Sequence, residues 1–123
     1  MTAEFKTEGT YVPDALVAGN AHLLVGRKVT VAAGAALVRG AVLGKITASG
    51  KYLLSVSAAT DGSEAPDLIL AEDVDAAAAD ASALAYARGD FNARALTLGA
   101  GHTTGSITEG LRAKGITLLP ALA

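Results

Sequence analysis

Between Leu24 and Leu70 the apolar residues come in runs too short for a helix, and glycines break them apart. The runs are Leu24-Val25, Val29-Thr30-Val31, Val42-Leu43, Ile46-Thr47, Tyr52 to Val56 and Leu68 to Leu70; Gly26, Gly34, Gly40, Gly44, Gly50 and Gly62 punctuate them. Short β-branched and aliphatic segments at turn-marked intervals predict a small, mainly β domain. Ala48-Ser49-Gly50-Lys51 reads as a hairpin turn and Thr60-Asp61-Gly62-Ser63 as a second turn, and between them Tyr52 to Ser57 is the best-defined strand. Asp73 to Ala81 holds four consecutive alanines, which favour helix by propensity, but it has no apolar stripe for a helix to bury. It reads as a tight loop or one helical turn between strands at Leu68 and Leu84.

One helix is signalled near the end. Ser106-Ile107-Thr108-Glu109 matches a capping box, Ile107 and Leu111 supply a buried stripe, Arg112 and Lys114 suit the negative end of the helix dipole, and Gly115 suits its exit. A last strand, Ile116 to Leu119, follows, ended by Pro120. The expected class is therefore mainly β (α+β), with one or two short helices.

At 123 residues the chain fits one domain. Its hydrophobic fraction of 51% overstates the core, because 28 residues are alanine and only 4% are aromatic. With little bulk to bury, self-association is expected, since subunit contacts hide further apolar surface. Ten Lys and Arg against twelve Asp and Glu give a net charge of −2, which argues against a nucleic-acid partner. No apolar run approaches the roughly 20 residues of a membrane span, and no secretory signal opens the sequence, so a soluble protein without a membrane partner is expected. Absence of cysteine removes disulfides, thiolate catalysis and cysteine-ligated zinc.

The motifs that could carry chemistry fall short on spacing. Gly99-Ala100-Gly101-His102-Thr103-Thr104-Gly105 has three residues before its last glycine where a dinucleotide loop has two, and no acidic residue follows at the required distance. Gly40 and Gly44-Lys45-Ile46 do not make a phosphate loop. His22 and His102 lack partners at metal-ligand spacing, and Ser63, His102 and Asp61 lack the context of a nucleophile elbow. Glu72, Asp73, Asp75 and Asp80 form an acidic cluster without the alternation of a calcium loop. No cofactor, metal or catalytic residue is assigned, and an enzyme is not expected.

Residues 1–22 differ from the rest. They mix charges with Gly9 and Pro13, show no helical period, and carry Phe5 and Tyr11, two of the five aromatics. This segment reads as an extended arm, with residues 23–123 as the β-rich domain.

Taken in order, Val29-Thr30-Val31, Arg39-Gly40-Ala41-Val42-Leu43-Gly44-Lys45-Ile46-Thr47, Gly50-Lys51-Tyr52, Ala58-Ala59-Thr60-Asp61-Gly62-Ser63, Leu70-Ala71-Glu72-Asp73-Val74-Asp75 and Gly89-Asp90-Phe91-Asn92 form a succession. It resembles the head decoration proteins of tailed bacteriophages, the family of the small outer capsid protein of phage lambda. The resemblance implies a β-clip-like domain, made in the bacterial host cytoplasm and assembled as a homotrimer. Such trimers bind the major capsid protein at threefold positions on the outside of the expanded head and act as cement. It also implies an N-terminal arm that adds a strand to the capsid protein, here carried by Phe5, Thr7, Tyr11, Val12 and Pro13. Two other readings remain open from residues alone: a β-sheet module on a virion that binds carbohydrate through Tyr52, Tyr86 or Phe91, and a nucleotide hydrolase using magnesium at Glu72 to Asp75.

Overall fold

The computed structural model describes residues 16–19 and 24–119. Among these residues lie nine strands, one helix and a 3-10 turn. The strands are β1 (Val17–Gly19), β2 (Val25–Val31), β3 (Ala35–Leu37), β4 (Val42–Lys45), β5 (Tyr52–Leu54), β6 (Pro66–Leu70), β7 (Val74–Ala76), β8 (Ala81–Asn92) and β9 (Ile116–Leu119). The helix α1 spans Thr104–Arg112, and the 3-10 turn spans Ala93–Ala95. The domain is mainly β, as the glycine-broken pattern indicates.

Seven strands form one sheet in the order β1-β8-β2-β5-β4-β6, and β9 joins at β8. Because β6 also pairs back onto β8, through Ile69 with Tyr86 and Leu70 with Ala85, strands β2, β5, β4, β6 and β8 close a ring. The long β8 serves two structures. Its first part, from Ala81 to Arg88, pairs antiparallel with β2, while Gly89 to Asn92 lies between β1 and the parallel β9. β3 and β7 form a separate two-stranded ribbon.

Alternation along the strands divides the core in two. Leu43, Leu68 and Leu70 face the ring interior with Val29, Val31, Tyr52, Ala83 and Ala85. Val42 and Ile69, one residue out of phase, face the other way and pack with Leu16, Phe91, Ile107, Leu111, Ile116 and Leu118. Successive side chains of a strand point to opposite faces, so β4 at Val42-Leu43 and β6 at Leu68-Ile69-Leu70 are buried on both, and those stretches read as unbroken apolar runs. The helix closes the second core with Ile107 and Leu111, the stripe expected from their spacing.

The hairpin at Ala48 to Lys51 joins β4 to β5 as expected, with Gly50 at φ +76°, where a side chain would be strained. Several expectations are corrected. Ile46-Thr47 belongs to that turn rather than to a strand, since the N–H of Ile46 already bonds the carbonyl of Lys51 (2.8 Å). Strand β5 stops at Leu54 instead of running to Ser57: Ser55 still donates to Val42, but the N–H of Val42 turns to Thr97 (3.0 Å) and that of Ser57 to Ala100 (3.0 Å), so the ladder is not continued. Asp73 to Ala81 is not a plain loop or helical turn: Val74–Ala76 pairs with Ala35–Leu37, a partner whose alanine-rich sequence carries little strand signal. The helix starts earlier than expected, capped by Thr103. Its hydroxyl accepts from the N–H of Ser106 (3.1 Å), while the Ser106 hydroxyl accepts from the N–H of Thr103 (2.9 Å). Ser106 is thus the inner member of the capping box rather than its cap, and Glu109 instead pairs with Arg112.

Within residues 1–22, Leu16 is buried in the second core and Val17–Gly19 pairs with β8. The described end of the N-terminal segment is therefore fastened to the domain. Pro120 lies outside the described residues.

Candidate functional site

Among the described residues, the polar side chains singled out from the sequence are engaged in holding loops. His102 Nε2 lies 3.1 Å from the Ser55 hydroxyl and 3.1 Å from the carbonyl of Glu64. A carbonyl only accepts, so Nε2 carries the proton and donates, and the ring fastens the glycine-rich loop to two neighbouring segments. Asp61 accepts from both the N–H (2.9 Å) and the hydroxyl of Ser63, which fixes the turn; that hydroxyl, with the serine N–H behind it, holds the Asp61 carboxyl below its usual range. Ser63 is therefore committed to Asp61 and His102 to Ser55 and Glu64, and the three do not form a relay. His22 lies outside the described residues.

Two glycines of the Gly99 to Gly105 segment, Gly99 and Gly101, answer to packing. A Cβ on Gly99 would stand 1.8 Å from the carbonyl oxygen of Ser55, so only glycine lets the two backbones approach. The acidic cluster is likewise spread over separate backbone donors. Glu72 accepts from the N–H of Leu84, Asp73 from Arg39, Asp75 from Ala77 and Asp80 from Ala33. Asp80 also pairs with Lys51 at 2.5 Å, and that ammonium, with the Ala33 N–H, holds the Asp80 carboxyl low. Among the described residues no three His, Asp or Glu side chains converge as a metal site.

The aromatics of the domain are not offered to a ligand. Tyr52 and Phe91 are buried, and Tyr86 packs on Phe91 with ring centroids 5.3 Å apart beneath the Arg39 guanidinium. The Tyr52 hydroxyl donates to Asp67 (3.0 Å), which also receives Lys114 at 2.8 Å. Burial alone would raise the Asp67 carboxyl, but these two donors and the charges of Lys114 and Arg27 outweigh it and hold the group low. Burial and the bond to Asp67 push the Tyr52 phenol up. This network ties β5 and β6 to the exit of α1.

What the described surface does offer is a hollow of about 290 Å³ beside β5, lined by Val31, Ala32, Gly34, Ala35, Leu37, Leu53 and Leu54 without a charged group. Toward β4 the bonded pairs fall at Ser55 with Val42 and at Lys51 with Ile46, so Leu54 directs its N–H and C=O the other way. On that side β2 ends at Val31, and the last bond between the two strands runs from the N–H of Ala32 to Tyr52 (2.9 Å). Among the described residues Leu54 therefore presents an open stretch of strand edge to an apolar groove. Sequence reading missed this feature, because the strand's early stop and the β3–β7 ribbon that walls the groove both depend on tertiary pairing. The arm residues Phe5, Thr7, Tyr11, Val12 and Pro13 lie outside the described residues.

A search of curated proteins gave no significant match. The family model for bacteriophage lambda head decoration protein D matches residues 5–116, nearly the whole chain and both of its cores. That family consists of structural capsid proteins and implies association with a phage capsid as a virion component. A glycine-punctuated β domain whose polar side chains serve its own loops, matched over that length, belongs to the phage head decoration protein family.

Proposed function

We propose that this chain is a cement protein that binds the outside of the expanded phage head at threefold positions, as a homotrimer, and stabilises the lattice of the major capsid protein. The match over residues 5–116 carries this reading, because it takes in Phe5, Thr7, Tyr11, Val12 and Pro13 as well as the folded domain. The arm binds by adding a strand to the capsid protein, with main-chain hydrogen bonds supplying affinity and alternate side chains such as Phe5 and Thr7 supplying fit. Ordering an arm costs about 1–2 kcal/mol per residue in backbone entropy, so a single arm holds weakly. Three linked arms offset this, since the second and third attachments are intramolecular and avidity gains of about 10²–10⁴ become available.

The fastening of Leu16 and Val17–Gly19 to the domain supports the division of labour, because it gives a pulled arm a fixed anchor. Deleting Thr2 to Tyr11 is expected to leave a folded trimer that no longer decorates expanded heads, measured by co-sedimentation. Equal decoration by the shortened chain would overturn the strand-addition mechanism.

A further inference from the structure

One end of the ring collects positive charge. Val29 and Val31 on β2, Leu43 on β4 and Ala83 and Ala85 on β8 face its interior, so by alternation Arg27, Lys45 and Ala87 carry the same face out to its rim. Tyr52, opposite Lys45 in register, closes the opening and donates to Asp67. Three adjoining hollows of about 260, 490 and 420 Å³ surround this rim; the first two share Lys45, the last two share Arg27, and the first and third share Asp67 and Lys114.

Arg27, Lys28, Lys45, Arg88 and Lys114 line these hollows and are all exposed, half of the ten basic residues in a chain whose net charge is −2. Among the described residues Asp67 is the one carboxylate lining them, and it is committed to Lys114 and the Tyr52 hydroxyl. Asp61 and Glu64, at the turn beside the first hollow, are turned onto the N–H groups of Ser63 and Gly62. Among the described residues Arg27, Lys28, Lys45 and Arg88 form no ion pair. Uncompensated charge of this kind on an acidic chain calls for an anionic partner.

The neighbouring side chains say of which kind. Val25 lines the third hollow, Leu84 stands beside Lys28 across the β2–β8 pair, and each is 44% exposed. Glu72, which accepts from the N–H of Leu84, marks the edge of the patch. Apolar side chains among separate cations match a folded polypeptide surface. For a nucleic acid the patch is poorly made: Tyr52 and Phe91 are buried and Tyr86 packs on Phe91, so among the described residues no ring is free for a base to stack on, and Asp67 would stand against the phosphates.

Resting on the cement reading, we propose that this rim is a second contact with the shell, one that docks an acidic surface of the major capsid protein. Exposed ion pairs hold weakly one by one, so the rim acts chiefly by steering encounter and setting orientation. The test follows the rate at which the full chain binds DNA-free expanded heads as salt is raised. Lys28→Glu/Lys45→Glu is expected to keep the wild-type melting temperature, to slow association at least about 10-fold at low salt and to flatten the salt dependence. The neutral pair Lys28→Gln/Lys45→Gln is expected to show the same change in smaller measure. Arg94→Glu, at an exposed cation off the rim, is expected to stay within about twofold of the wild type. A charge-reversed pair slowed no more than Arg94→Glu, on heads that the wild type decorates, would overturn the rim assignment and leave the cement reading standing. A wild-type chain that ignores heads, whether or not it binds DNA, would overturn both.

Discussion

The two cores on either face of β4 and β6 are built from different materials. The ring interior is filled by small and branched residues, Ala41, Ala76, Ala83, Ala85, Val29, Val31 and Val74 with a few leucines, and Tyr52 is its one aromatic among the described residues. Beneath the helix the second core stacks Phe91, Ile69, Ile107, Ile116, Leu111 and Leu16. α1 covers the bulky side, while the small-residue side keeps an uncovered groove at Leu53 and Leu54. The contrast teaches that the bulky side chains are gathered where a helix covers them, and that the small-residue core leaves apolar surface exposed beside β5.

Truncation in the second core should have the largest effect. Phe91 is fully buried, and Phe91→Ala is expected to cost about 3–5 kcal/mol in urea unfolding. Next comes the seam between the cores. A Cβ on Gly44 would lie 1.9 Å from the carbonyl oxygen of Ser63, so Gly44→Ala is expected to cost about 1–3 kcal/mol by forcing the Ser63 turn off β4. Leu53→Ala, in the partly exposed wall of the groove, is expected to cost under about 1 kcal/mol. A loss at Leu53 as large as that at Phe91 would break the comparison.

The smallest effect is electrostatic. Asp61, Asp67 and Asp80 are all held below the usual value of 3.8. A lowered folded-state value means that the unfolded chain binds more protons as acid is added. Their contribution is therefore complete above about pH 4 and is lost as pH falls through the folded-state values. Melting temperature should decline from about pH 4 downward, and Asp67→Asn should flatten that decline if the bonds to Lys114 and Tyr52 contribute. An unchanged acid profile in Asp67→Asn would remove this network from the account.

Much of the fold was legible where local chemistry decides it. Gly50 between two aliphatic runs announced the hairpin, Ile107 and Leu111 announced the buried face of α1, and Ile116–Leu119 announced β9. Where pairing partners decide, the sequence was silent. Val74–Ala76 is a strand only because Ala35–Leu37 lies beside it, and alanine and aspartate have no strand preference to betray that. The cap of α1 was misplaced because two hydroxyls, Thr103 and Ser106, do what a serine and a glutamate do in the commoner box. The open edge at Leu54 had no signature, since an unpaired backbone group is a property of the ring's geometry. The family was readable from the order of short motifs, each too brief to identify anything alone.

Titration of the full-length chain onto undecorated expanded heads tests the central claim most directly. Saturable binding at three copies per threefold position, with a raised temperature of head disruption, is the expected result. Heads that take up no chain and gain no stability would contradict it.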